Sequence, residues 1–271
     1  MIIKNSSKQI RTNEGYDQIA PSYKIIYEQR RTYLNAIDSL VIPYLKNRTI
    51  LDIGSGDGSR ISNLYKSANI KKLVCLEPSF EMYKKLSKYD FIQAKMITAQ
   101  QEEIAFHNQF DTVTSLWNVL GHIGTLKELN ISLVNIRKYL KNNGLLIFDV
   151  NNRLNGSAYG IPTAIYRLFI DFFFFKRSRG DTYTKWDING KEIRAYGHIF
   201  SPFEVFKFLK MHKFKIIKVF YVNYRTGKIS NNFLKGQMFV VAQKENWNID
   251  KKFILIDMYL INIQLPILDL L

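Results

Sequence analysis

Arg48-Thr49-Ile50-Leu51-Asp52-Ile53, followed at once by Gly54-Ser55-Gly56-Asp57-Gly58, decides the fold of this 271-residue chain. The apolar run reads as a first strand, and the alternate glycines that close it read as a tight turn. Without a Cβ, a glycine lets the backbone come close to a ligand. Such a turn delivers its amides to the crevice outside the carboxyl ends of an open α/β sheet, where these folds bind ligands. A dinucleotide-binding fingerprint would need a further glycine at position 59, and that residue is Ser59.

Beyond the turn, short apolar runs alternate with amphipathic stretches, the pattern of a wound α/β sheet. A helix is expected from about Ser59 to Lys66. Lys72–Glu77 reads as a second strand ended by Pro78, with Ser79 capping the next helix through Met82 and Leu86. Further strands are expected at Phe91–Ile97, Phe110–Leu116, Gly144–Val150, Phe214–Val222 and Gln237–Gln243. Leu129, Leu133, Ile136 and Leu140 give a helical spacing between the fourth and fifth. Ser201-Pro202-Phe203-Glu204 has the form of a capping box opening a helix to about His212. Between them, residues 151–197 read as an irregular, aromatic and basic insert, too long for a simple connection.

The chain carries 39 Lys+Arg against 23 Asp+Glu, a formal net charge of +16, which would concentrate an anionic partner: nucleic acid, an anionic membrane or an acidic substrate. Lys-, Asn- and Ile-rich usage throughout the chain explains the same excess without any selected patch. The single Cys75 excludes an intramolecular disulfide framework and a four-cysteine zinc site, and its apolar neighbours make it a buried thiol. No metal ligands stand at a recognisable spacing, so no metal is expected. The first residues lack an apolar signal-peptide core, and the expected compartment is the cytoplasm. Two segments leave a peripheral membrane contact open: the apolar tail 253–271, and residues 164–179, where Phe172-Phe173-Phe174-Phe175 precedes Lys176, Arg177 and Arg179. Packing of both segments on the protein itself is the leading expectation for them.

A second acid strengthens the reading of the glycine turn. Glu77 ends the second strand, at about the 20-residue interval where such folds place a ribose-binding carboxylate. On these residues the chain resembles the class I S-adenosylmethionine (AdoMet)-dependent methyltransferase superfamily, of the small-molecule type. Asp52, Gly54, Ser55, Gly56 and Gly58 match its first motif, and Glu77-Pro78 its acidic ribose ligand. Gln100-Gln101-Glu102 resembles the adenine segment, with Gln100 where many members carry Asp. Trp117-Asn118, within Ser115–Ile123, resembles the stretch bordering cofactor and substrate. Tyr16-Asp17-Gln18-Ile19-Ala20-Pro21-Ser22-Tyr23 resembles the N-terminal segment that folds over the cofactor.

The resemblance implies an α/β, Rossmann-like three-layer sandwich. Its sheet would be seven-stranded and mostly parallel, with a reversed terminal hairpin and an insert after strand five. Residues 1–47 would form a helical lid, 48–244 the AdoMet-dependent domain including the 151–197 insert, and 245–271 an apolar tail. It implies AdoMet as cofactor, bound by Tyr16, Tyr23, Asp52, Gly54, Ser55, Gly56, Gly58, Glu77, Pro78, Gln100, Gln101, Glu102, Trp117 and Asn118. Methyl transfer from a sulfonium is a displacement with a good leaving group, so the protein contributes chiefly by positioning. A general base is needed only for a protonated nucleophile. His122, after the fourth strand, and His198, before the capping box, are the candidates; His107 and His212 are expected to face solvent. Asn151, Asn152, Arg153, Tyr159, Tyr183, Trp186, Arg194 and Tyr196 are candidate substrate contacts.

The leading expectation is methylation of an N or O nucleophile on a small molecule, anionic and lipid-linked ones included. RNA methylation stands second, on the charge and on Lys207, Lys210, Lys213, Lys215 and Lys218. A non-catalytic AdoMet-binding or membrane-associated scaffold stands third. Acceptor identity and oligomeric state stay open.

Overall fold

The computed structural model describes residues 12–188 and 190–246; the apolar tail expected at 253–271 lies outside them. Three helices come first: α1 (Thr12–Ile19), α2 (Tyr23–Gln29) and α3 (Arg31–Val41). Strands β1 (Thr49–Ile53), β2 (Lys72–Leu76), β3 (Ile92–Lys95), β4 (Phe110–Ser115) and β5 (Leu140–Val150) then alternate with α4 (Ser59–Ala68), α5 (Phe80–Leu86) and α6 (Leu126–Tyr139). The insert holds α7 (Gly156–Tyr159), α8 (Ile161–Phe173) and the strands β6 (Asp181–Ile188) and β7 (Lys191–His198). The chain closes with α9 (Pro202–Met211), β8 (Phe214–Val222), β9 (Ile229–Ser230) and β10 (Gln237–Lys244).

The main sheet has the order β3-β2-β1-β4-β5-β10-β8-β9. Strands β1 to β5 pair in parallel, and β10 runs antiparallel between β5 and β8, as the reversed hairpin requires. The sheet has eight strands rather than the seven expected, because two-residue β9 adds to the edge of β8. Such a strand carries no hydrophobic alternation from which to be read.

Why β1, β2, the second half of β5 and most of β10 are largely apolar follows from the layers. Neighbours along a strand point to opposite faces, and both faces are covered by helices. Leu51, Val74, Leu146 and Val240 pack with Leu133 and Ile136 of α6 and Phe208 of α9 on one side. Ile50, Leu73, Ile147 and Val241 pack with Leu34 and Ile37 of α3 and Leu64 of α4 on the other. Each such Leu or Ile contributes about 1.5–3 kcal/mol by leaving water. Cys75 is buried in the second cluster, and burial pushes its thiol pKa up, away from reactivity.

Two local expectations are modified. The Ser201 hydroxyl caps α9 by accepting from Glu204 N, but the Glu204 carboxylate does not return to complete a box. It turns instead to His198 and Arg177. The reciprocal capping box is at Thr125 and Glu128, opening α6. The insert is also not irregular: β6 and β7 form a separate two-stranded hairpin with Trp186 opposite Ile193. Among the described residues no helix is long and apolar enough to cross a membrane.

Candidate active site

At the carboxyl edge of the sheet, Gly54 N and Ser55 N donate to Leu76 O (2.8 and 3.2 Å), pinning the glycine turn to the end of β2. Gly54 sits at φ +73°, and a Cβ there would lie 2.6 Å from Val119 Cγ2. Gly56 sits at φ +59°, where a Cβ would come within 3.1 Å of the Tyr23 hydroxyl. Both positions combine a left-handed backbone with close approach, which glycine alone accommodates cheaply.

Glu77 is the electrostatic centre of this edge. Its Oε2 accepts from Gly56 N (2.7 Å) and its Oε1 from Ser79 N (2.8 Å). Burial pushes the carboxyl up to about 7, against the opposing pull of those two amides. A carboxylate offers about four acceptor positions, so two stay free for hydroxyl donors. Asp52 is placed differently. Its Oδ1 accepts from Thr114 Oγ1 (2.5 Å), tying β1 to β4, and burial raises its carboxyl to about 6. With Ser55 it borders a recess of about 30 Å³ beneath the turn, not the main cleft.

The main cleft has a volume of about 780 Å³, with Gly54, Gly56, Glu77, Pro78, Thr98 and Gln100 along its floor and sides. A second cavity of about 420 Å³ adjoins it, bordered by Gln29, Arg30, Asn118, Asn151, Trp186 and Tyr224 among others. Tyr16, Tyr23, Trp117 and His122 line both. The rings of this shared wall interlock. Tyr16 meets His122 edge-on at 5.7 Å and Trp186 at 5.5 Å, and Tyr23 meets Trp117 at 5.8 Å. The N-terminal helices are fastened there by Asp17, whose Oδ1 accepts from Ser79 Oγ (2.7 Å) and Glu81 N (3.0 Å) at the start of α5.

Trp117 and Asn118 hold the wall in a strained conformation, with φ of +67° and +61°. Consecutive non-glycine residues in this region cost about 1–3 kcal/mol each and persist only where their surroundings hold them. Here buried Asp149 does so: its Oδ1 accepts from Trp117 N (2.6 Å) and its backbone carbonyl from Asn118 N (3.2 Å). Asn118 Oδ1 accepts from Asn151 N (2.8 Å), and Trp117 Nε1 donates to the Tyr224 hydroxyl (3.2 Å).

His122 is half-buried, and burial holds its pKa below the ordinary histidine value. Its Nδ1 lies 2.8 Å from the Tyr196 carbonyl oxygen. A carbonyl can only accept, so Nδ1 carries the proton. In the neutral ring, Nε2 is then a lone-pair acceptor, and it has no hydrogen-bond partner among the described residues.

Several expected site residues lie elsewhere. His198 is fully buried between Asp181 and Glu204, with Nδ1 2.8 Å from Asp181 Oδ1 and Nε2 3.1 Å from Glu204. Both nitrogens are engaged and it borders neither cavity, which corrects its expected place facing the pocket. Gln101 turns its side chain to Thr98 N, and Glu102 pairs in solvent with His107 and Lys138; neither reaches the cleft. Gly58 (φ +81°) starts α4 without lining a cavity. His212, expected in solvent, is half-buried with Nε2 3.1 Å from Asn130 Oδ1. Of the candidate substrate contacts, Asn151 and Trp186 reach the smaller cavity and Tyr196 the cleft. Asn152 is buried with its Nδ2 donating to Phe233 O and Gly236 O, and Arg153 is buried within the insert, 2.7 Å from Asp171. Arg30, Lys185 and Tyr224 were missed; only the unread β6–β7 hairpin and chain return bring Lys185 and Tyr224 to the site. Among the described residues no group of three or more His, Cys, Asp or Glu could hold a metal ion.

Residues 51–146 match the family model described as a methyltransferase domain. No curated protein matches the chain. Among solved structures, a Thermotoga maritima AdoMet-dependent methyltransferase, described as a possible histamine N-methyltransferase, is 15% identical over 86% of this chain and 98% of that one, with a TM-score of 0.58. The Burkholderia thailandensis 1,6-didemethyltoxoflavin-N1-methyltransferase, solved with 1,6-didemethyltoxoflavin and S-adenosylhomocysteine bound, is 10% identical over 86% and 87%, with a TM-score of 0.59. A complex of a methyltransferase activator and a methyltransferase from Haloferax volcanii gives 13%, 87% and 98%, and a TM-score of 0.63. At these identities the likeness is one of fold.

Proposed function

We propose that this chain, of which residues 51–146 match a methyltransferase-domain model, is a class I AdoMet-dependent methyltransferase that methylates an N or O nucleophile of a small molecule. The observation that carries the reading is the pair of adjoining cavities separated by Tyr16, Tyr23, Trp117 and His122. The cleft of about 780 Å³ is large enough for AdoMet, and the smaller cavity of about 420 Å³ is of small-molecule size.

The residues present fit the cofactor. Gly54 and Gly56 leave room that a Cβ would fill, and the spare acceptor positions of Glu77 suit the two ribose hydroxyls. Gln100 and Pro78 border the same cleft, on the adenine side in this reading. AdoMet, when bound, supplies a methyl group on a cationic sulfonium. The chain's own work is to orient the acceptor and exclude water. Tyr16 and Tyr23, carried on the N-terminal helices, shut the shared wall. His122 Nε2 takes the proton of a hydroxyl or ammonium acceptor, and the Tyr196 carbonyl keeps its ring in the tautomer that can do so. Asn118, Asn151 and Arg30 offer polar contacts for the acceptor, Arg30 lying over the Tyr224 ring at 4.8 Å.

RNA methylation ranks second because none of Lys207, Lys210, Lys213, Lys215 or Lys218 borders either cavity. A peripheral membrane contact is compatible with the leading reading, since α8 and the acceptor-lining β6 belong to one insert. Incubation with methyl-labelled AdoMet and fractionated cell extract tests the assignment. Label in a small-molecule fraction, lost in His122→Asn, is expected; label confined to RNA overturns it.

A further inference from the structure

We propose that α8 and the Phe172–Phe175 run form an interfacial anchor that docks this chain on an anionic lipid bilayer. On its inner side α8 buries Ala164 and Asp171, and Asp171 Oδ2 pairs with Arg153 Nε at 2.7 Å. On its outer side Ile165, Tyr166, Phe169, Phe172, Phe173 and Phe174 are 54–71% exposed. The rings of Phe169, Phe172, Phe173 and Phe174 form a continuous surface, with centroids 4.7 Å apart for Phe169 and Phe173 and 4.9 Å for Phe172 and Phe173. A run of exposed aromatic residues this dense marks an interaction surface rather than ordinary solvent-facing side chains.

Charge decides the occupant. Asp171 is the only acid between residues 151 and 180, and it is buried. The exposed rim carries Lys176 and Arg179, and neither forms a salt bridge with any described residue. An apolar face edged by such cations complements the acyl chains and anionic headgroups of a bilayer. A symmetric second copy would bring cation against cation. At 13 residues α8 is too short to span a bilayer, so it would lie in the plane of the interface. The inference goes beyond the acceptor assignment and does not depend on it.

The test is flotation of the full chain with vesicles of phosphatidylcholine alone or mixed with phosphatidylglycerol. S-adenosylhomocysteine affinity is measured on the same samples, so loss of the cofactor site and loss of docking are read separately. Binding to the mixed vesicles is expected, weakened about tenfold or more by Phe172→Ser combined with Lys176→Glu. Phe173→Trp should add fluorescence that brominated acyl chains quench, a readout that requires insertion and removes no anchor. Failure of the full chain to float overturns the proposal. So does binding equal in the double variant, or an indole signal from Phe173→Trp that stays unquenched, since net charge alone would then explain association. A concentration-dependent dimer abolished by Phe172→Ser would overturn it by assigning the face to a second copy. Flotation gained only on removal of residues 247–271 would overturn it by assigning the face to that segment.

Discussion

Lowering the pH should weaken cofactor binding through Glu77 before it affects anything else at the site. The carboxyl is buried and pushed up to about 7, so the free protein takes up a proton there near neutrality. With Gly56 N and Ser79 N already bound, only the ionised carboxylate keeps an acceptor position for each ribose hydroxyl, so binding should pull the pKa back toward the ordinary carboxylate range. Affinity then falls about tenfold for each pH unit below 7, up to about 100-fold by pH 5, or about 2.7 kcal/mol. The stability of the free protein carries the opposite sign. A folded-state pKa above the unfolded value favours the folded chain at low pH, and that contribution is lost as pH rises through about 7. Asp52, raised to about 6, adds in the same direction over a lower window. Calorimetry with S-adenosylhomocysteine from about pH 5 to about pH 8 reads the first effect, and denaturant unfolding without ligand reads the second. Titration is the cleaner perturbation, because Glu77→Gln would set an amide NH₂ against Gly56 N or Ser79 N. A dissociation constant flat across that range would refute the role given to Glu77.

Gly54→Ala should cost about 1–2 kcal/mol of stability from its left-handed backbone, and more from displacing Val119, with loss of product binding; unfolding and calorimetry check both. His122→Asn should lower methyl transfer by about 100-fold or more while changing product affinity far less. In the wild type the acid limb of the rate profile should fall below the ordinary histidine pKa, since burial depresses that of His122. Amide exchange in residues 12–29 should slow when product is added, because Tyr16 and Tyr23 line the cleft; equal exchange in both states would count against closure.

Most of the parallel half of the sheet was legible because β1, β2 and the second half of β5 are buried on both faces and read as apolar runs, as at Leu145–Phe148, whereas half-exposed β3 reads more weakly. The glycine turn and Glu77 were legible because chemistry at a strand end needs particular residue types there. What the sequence concealed depends on tertiary partners. Glu204 has the residue type and position for a capping box, but Arg177 and His198, brought close by the insert, compete for its carboxylate. His198 shares its residue type with His122, and only the fold separates an enclosed ring from one whose Nε2 has no hydrogen-bond partner among the described residues. The β6–β7 hairpin alternates weakly, with Trp186 and Ile193 amid charged and small residues, so Thr184 and Lys185 were unrecognisable as cavity walls. From sequence the Phe172–Phe175 run reads first as packed on the protein, because a run of four phenylalanines looks like core, and its exposure of 44–71% corrects that expectation.

In the proposed function, cofactor and acceptor occupy the two cavities on either side of Tyr16, Tyr23, Trp117 and His122. A crystal structure of the S-adenosylhomocysteine complex tests it most directly. The ribose hydroxyls should lie on Glu77, the adenine beside Gln100, and the sulfur toward the shared wall and the smaller cavity. A ligand whose ribose avoids Glu77, or whose sulfur is closed off from the smaller cavity, would contradict it.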